Sequence, residues 1–329
     1  MINKKAQLAE HLFAKEIEKK ATRDGFGTGT VEAGKEDKNV VVLCADLKES
    51  TRAEWFEKEF PDRYIEVGVA EQNLATVAAG MAAVGKRPFI ASYAAFSPGR
   101  NYEQIRTTIA LNDQPVVVCG MHAGVSVGPD GATHQMLEDI GLMRLLPNMR
   151  VVVPGDAEEA RKAVIAAAKA PHPTYLRFGR APTPIFTTPE TPFAFGKALP
   201  VWDSAQPKVA LMSTGALTYE ALLAAKALAV EKIEVSVLHV PSVKPLDAEL
   251  VKEHAKRAGR VITIEEHQVA GGLGGAVAEF LSEAYPVPVM RLGMKDSFGQ
   301  SGEPEELLRH YGLSAVGIAD AVRKVLGVY

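Results

Sequence analysis

Cysteine is scarce in this chain, with two among 329 residues. Cys44 and Cys119 each lie in an apolar run, VVVLCADL and PVVVCGMH. A buried reduced thiol is expected in such a setting, and no disulfide framework is implied. A surplus of charge is lacking too: 37 Lys and Arg against 40 Asp and Glu leave a formal net charge of −3. That balance gives no electrostatic footprint for nucleic acid or for a membrane surface, and it leaves small molecules and protein as the expected partners. No continuous apolar run opens the chain. MINKKAQLAEHLFAKEIEKKATRDG intersperses charge throughout, which fits neither a signal peptide nor a membrane span and makes the cytoplasm the expected location. Short-period repeats and low-complexity tracts are missing as well, so no repeat architecture is expected.

What is present is the composition of an ordinary globular chain, 47% hydrophobic and 23% charged, long enough for two domains. Residues 4 to 20 put Leu8, Leu12, Phe13 and Ile17 on one face of an expected amphipathic helix. Strand-like runs follow: NVVVLCADL, RYIEVGV, RPFIASY, QPVVVCGM, MRVVVPGD and PTYLRFG, with helical patterns between them such as Ala157 to Ala168. RAPTPIFTTPETPFAFGKALP, residues 180 to 200, holds five prolines and no clear period, which reads as a linker. The pattern then restarts with VALMSTG, IEVSVLHV, RVITIEEH and VPVMRLGM. Continuous apolar strands alternating with helices imply an α/β fold of two domains, each a mostly parallel sheet flanked by helices. The expected division is 1–185, a linker 186–200, and 201–329.

Two stretches carry chemistry. In RYIEVGVAEQNLATVAAGMAAVG a short strand runs into an apolar helix, and Glu71 falls in its first turn. By position alone a carboxylate there complements the helix macrodipole. The second is HAGVSVGPDGATHQ, His122 to Gln135, a glycine-punctuated loop after a strand. Parallel α/β sheets place ligands at the carboxyl ends of their strands. A metal site would need more convergent ligands than this loop offers.

Together these stretches resemble the transketolase family of thiamine-diphosphate enzymes. The resemblance extends to EEHQVAGGLGGAVAEF and GMKDSFGQSGEPEELLRHYGLS in the second half, and so covers nearly the whole chain. It implies a pyrimidine-binding domain followed by a transketolase C-terminal domain that serves packing and dimer stability, so no chemistry is expected of Glu265, Glu266 or His267. In this family a glutamate at the position of Glu71 hydrogen-bonds N1′ of the cofactor's aminopyrimidine, where a carboxyl shielded from water shares a proton with the ring. Asp46, Leu47, Phe96 and Tyr102 match residues lining the cofactor. Between Phe96 and Tyr102 the family often has a second aromatic, and this chain has Gly99. Asp130 matches a residue that binds a hydroxyl of the ketose donor. His134 matches the histidine near the reacting carbonyl, an imidazole suited to proton transfer. His122 matches a histidine that holds the substrate toward its phosphate end. Arg23, Ser50 and Arg180 match a grip on the terminal phosphate, guanidinium being a planar fork of donors. Arg177 stands close enough to Arg180 to be the alternative.

One motif of full-length members is missing. They bind the diphosphate and its divalent metal through GDG and a later asparagine, and this chain has no GDG. The resemblance therefore implies the C-terminal half of a transketolase carried as its own subunit. A separate N-terminal subunit, with the GDG motif, would hold the diphosphate and Mg2+ (or Ca2+ or Mn2+), in an α2β2 assembly acting on sugar phosphates. Alternatives are the β subunit of a 2-oxo acid dehydrogenase, a deoxyxylulose-phosphate synthase-like half, or a noncatalytic paralogue.

Overall fold

Runs of apolar residues without alternation become strands buried on both faces. In the computed structural model, which describes residues 1–328, the first domain supplies six strands, mostly buried apart from the edge strand Tyr64–Glu66. They are β1 (Val40–Cys44), β2 (Tyr64–Glu66), β3 (Arg87–Tyr93), β4 (Val117–Met121), β5 (Arg150–Val152) and β6 (Thr174–Arg177), all mutually parallel. The second domain supplies β7 (Leu199–Trp202), β8 (Val209–Ser213), β9 (Val235–His239), β10 (Ser242–Lys244), β11 (Val261–Gln268) and β12 (Val289–Met294). Five of these form a sheet in the order β12-β11-β8-β9-β7, parallel apart from β7. β10 crosses over to pair antiparallel with β5, so the first sheet reads β10-β5-β6-β4-β3-β1-β2. The α/β reading and its parallel sheets hold.

The chain runs from β1 out to the edge strand β2 and then returns past β1 to β3. Loops leaving β1 and β3 diverge at that point, which opens a crevice at the carboxyl ends of the strands. The principal helices of this domain are α1 (Thr22–Glu36), α2 (Glu71–Ala83) and α3 (Ala157–Ala168), with α1 packed on α3. The described residues contain no helix long and apolar enough to cross a membrane.

The expected helix over residues 4 to 20 is not there. A single 3-10 turn at Lys4–Ala6 is followed by turns, and Lys19–Lys20 pairs with Thr183–Pro184. The same apolar side chains are nevertheless used. Leu12 is buried in the core of the second domain, with Leu8, Phe13 and Ile17 packed around it, and the Tyr219 hydroxyl donates to the Leu12 carbonyl at 2.9 Å. Tertiary burial, rather than a helical face, satisfies the pattern. The first helix is instead α1, whose glycines (TRDGFGTGT) carry low helix propensity and hid it from periodicity.

The two domains share their interior. One apolar cluster runs from Leu43, Leu74 and Ile90 to Met212, Leu238 and Leu273. Buried ions cross the seam as well. Arg177 pairs with Asp139 at 2.7 Å and donates to the Glu266 carbonyl at 2.8 Å, and the Tyr175 hydroxyl donates to Asp139 at 2.6 Å. Burial pushes the Asp139 carboxyl up, but the charges of Arg177 and His267 and the hydrogen bonds from Arg177 and Tyr175 together outweigh it and hold the group below its ordinary value. Glu265 accepts from the backbone N–H groups of Leu273 and Gly274 at 2.7 Å, at the start of the helix Leu273–Ala284. That is a structural use of the glutamate, since the first N–H groups of a helix lack intrahelical partners.

Candidate active site

Apart from Arg177, the last residue of β6, and Tyr102, which opens the short helix Tyr102–Gln104, the residues singled out in the first domain follow a parallel strand at its carboxyl end or stand in the first turn of a helix. Asp46, Leu47 and Ser50 follow β1, Glu71 opens α2 after β2, and Phe96 follows β3. His122, Asp130 and His134 follow β4, Arg180 follows β6, and Arg23 sits in the first turn of α1.

Arg23 is the hub. Its Nη1 donates to the Ser50 carbonyl and to His122 Nε2, both at 2.8 Å. Arginine cannot accept, so Nε2 is the acceptor and the neutral ring carries its proton on Nδ1. That Nδ1 is buried without a partner, and so is Arg23 Nε. Two donors within one cluster therefore remain open, which is the arrangement an oxygen-rich ligand completes. Burial first, then the charges of Arg23 and Arg180, push the His122 imidazole down to about 3. The residue is 2% exposed and adopts φ of +53°. Asp46 also lies in the left-handed region, at +57°. Non-glycine residues in that conformation concentrate at functional loops.

Arg180 is half-buried and donates to the Val127 carbonyl at 3.0 Å, so it is tied to the loop of His122. Arg177, the alternative, is consumed by its buried pair with Asp139. His134 is half-buried, with Nδ1 2.9 Å from the Thr133 hydroxyl and its ring edge-on to Phe96 at 5.6 Å. Asp130 is exposed on the same loop. Glu71 is 5% exposed at the first position of α2.

Leu47 packs on the apolar layer that includes Phe26, Phe89 and Phe178, and Tyr102 packs on the layer that includes Leu74 and Ile105.

Sequence reasoning missed three contributors. Tyr93, the last residue of β3, stacks on His122 with centroids 4.2 Å apart and planes at 21°, and lies 6.0 Å from Phe96. Its place at a strand end was the available signal. Asn101 is fully buried and its Nδ2 donates to the Glu71 carbonyl at 2.9 Å and to Ser97 Oγ at 3.1 Å, which ties α2 to the loop of Phe96. Arg52 pairs with Asp24 at 2.7 Å and adds positive charge beside His122. Nothing in local sequence marks the last two.

The site thus combines a sheltered carboxylate, an aromatic wall, a neutral imidazole with an open N–H, a second imidazole, and two guanidinium groups. It can hold an anionic, hydroxyl-bearing substrate and move protons beside it. Its acceptors also fit the N–H groups of a flat nitrogen heterocycle: the Glu71 carboxylate is nearly shielded from water, and the buried Oδ1 of Asn101, whose Nδ2 bonds the Glu71 carbonyl, has no partner.

Residues 18–184 match the family described as transketolase, pyrimidine binding domain, and residues 196–318 match transketolase, C-terminal domain. A putative transketolase C-terminal section from Methanocaldococcus jannaschii is 40% identical over 92% of this chain and 95% of its own length. One of the subunits of an apulose-4-phosphate transketolase from Phocaeicola vulgatus is 36% identical over 91% of this chain and 95% of its own. Among solved structures, one described as a split gene transketolase, inactive β4 tetramer, superposes with a TM-score of 0.87. It is 44% identical and covers 94% of this chain and 99% of its own.

Proposed function

The chain belongs to the transketolase family as a split transketolase-type subunit, and from that premise we propose that it transfers a two-carbon ketol unit from a ketose phosphate to an aldose phosphate. The cofactor is thiamine diphosphate. The observation that carries the substrate class is the Arg23–His122 pair, with an open Nδ1–H and an open Nε in a pocket that Arg180 also charges. A phosphate and a sugar hydroxyl supply the oxygens these donors lack.

Each group then has a task. Thiamine diphosphate supplies an electron sink when bound. Glu71 holds a proton against N1′ of the aminopyrimidine, sheltered from competing water by its burial. Phe96, Tyr93 and Tyr102 would wall the ring, and Asp46 and Leu47 would line it. Asp130 accepts from a hydroxyl of the donor ketose, and His134 moves the proton at the substrate oxygen. His122 donates from Nδ1. Arg23, Ser50 and Arg180 orient the far phosphate, which raises the rate through positioning rather than bond chemistry.

The diphosphate and Mg2+ are assigned to an N-terminal partner subunit, because this chain lacks the GDG motif. On that reading the assembly is α2β2, and the cytoplasm is its expected location. The β4 neighbour supports self-association of such subunits and the need for the other half. The relative that acts on apulose 4-phosphate supports a sugar phosphate as the class, with the particular sugar set by the loops.

The test is ketol transfer from xylulose 5-phosphate to ribose 5-phosphate, with this chain alone and with a GDG-bearing subunit. Activity is expected only in the mixture, and Glu71→Ala should lower it by several orders of magnitude. Tight magnesium-dependent binding of thiamine diphosphate to this chain alone, read by calorimetry, would overturn the partner assignment. Near-normal rates in Glu71→Ala would remove Glu71 from the mechanism.

A further inference from the structure

The loop His122–Gln135 has little conformational preference of its own. Gly124, Gly128 and Gly131 take φ of +91°, +85° and +70°, and glycine sequences of this kind lose the most freedom on ordering. What fixes the loop must therefore come from its surroundings, and besides Arg23 and Arg180 the second domain supplies contacts to it.

Two side chains make the join. Glu266 Oε2, on β11, accepts from the Ser126 backbone N–H at 2.9 Å, and Glu266 is itself held by Arg177 through its carbonyl at 2.8 Å. The second is Gln135, the residue after His134. Its Nε2 faces three carbonyls: Val125 at 3.1 Å and Gly128 at 3.3 Å in its own loop, and Gln300 at 3.0 Å in the second domain. Three acceptors fix the amide orientation, since an oxygen turned toward them would be repelled. The fit leaves no room for side chains. A Cβ on Gly131 would come within 2.5 Å of Ser301 Oγ, and one on Gly128 within 3.2 Å of the Gly302 carbonyl.

We propose that Gln135 and Glu266 are positioning residues through which the second domain sets the conformation of the His122–Gln135 loop, and with it the placement of Asp130 and His134 against a ketose phosphate. The inference rests on reading that loop as the substrate site. It gives the second domain a part in substrate recognition besides packing.

Gln135→Met keeps the shape of the side chain and removes its N–H groups. Glu266→Leu removes the acceptor for Ser126, and Glu266→Gln restores one. Amide hydrogen exchange in the complete free subunit, read by mass spectrometry, should rise tenfold or more across residues 124–135 in the first two variants and return near wild type in Glu266→Gln. In the reconstituted complex the first two should raise the KM for ketose phosphate tenfold or more while retaining affinity for thiamine diphosphate. Unchanged exchange and KM would overturn the proposal. So would faster exchange spread evenly over the chain with KM unaltered, which is the signature of general destabilisation. If the wild-type complex shows no ketol transfer, the functional reading fails, while the exchange arm still decides whether the second domain holds the loop.

Discussion

At the scale of the residue, His122 concentrates the electrostatics of the site. Its imidazole is buried against two guanidinium groups, and the folded-state value of about 3 compares with about 6.5 for an unperturbed histidine. Between those limits the unfolded chain binds a proton that the folded chain does not. Stability from this group is therefore fully present above about pH 6.5 and lost as pH falls toward 3, by up to about 1.4 kcal/mol per unit. Urea denaturation at pH 7 and pH 5 should show the wild type losing about 2 kcal/mol more than His122→Asn across that interval. Equal losses would mean that the imidazole protonates within the fold. The same geometry explains why the residue was legible in sequence as a candidate while its state was not: the charges of Arg23 and Arg180 come from distant parts of the chain.

At the scale of the element, α1 shows how a helix can form against its propensity. Gly25 and Gly29 lie against α3, where a Cβ on Gly25 would overlap the Ala157 carbonyl and come within 2.7 Å of Ala160 Cβ. Close approach of two helix backbones compensates for the roughly 1 kcal/mol that each glycine costs relative to alanine. The approach also holds Arg23, two residues earlier, over the crevice. Gly80 in α2 is a natural control, because a Cβ there meets nothing within 4 Å. Gly80→Ala should stabilise the free chain by about 0.5–1 kcal/mol, and Gly25→Ala should destabilise it by about 1–3 kcal/mol, since the obstacle is backbone that cannot swing aside. Chemical denaturation reads both; shifts of the same sign would refute the packing account.

At the scale of the whole molecule, the two domains behave as one packed body. The N-terminal residues reach the second domain's core, β10 returns to the first sheet, and Arg177, Asp139 and Glu266 lie buried at the seam. Leu12→Ala should consequently cost about 2–4 kcal/mol in denaturant although the residue precedes the first domain's sheet. A cost below about 0.5 kcal/mol would mean that the N-terminal segment is not integral to the second domain.

The sequence by itself determined the fold class and the principal strands, because continuous apolar runs have no other way to bury both faces. It also singled out Glu71 and the His122–Gln135 loop as candidates, because strand-end loops punctuated by glycine are where ligands are held. Only the tertiary structure decided that residues 4 to 20 are not a helix and that α1 is one, since burial against another element overrides local propensity. It also separated Arg180 from Arg177, three positions apart, by giving Arg177 a buried carboxylate of its own. Tyr93, Asn101, Gln135 and Glu266 acquire their partners from residues up to 165 positions distant. Hydrogen bonds of that span leave no periodicity or motif in the chain, and they exist only once the sheets have packed.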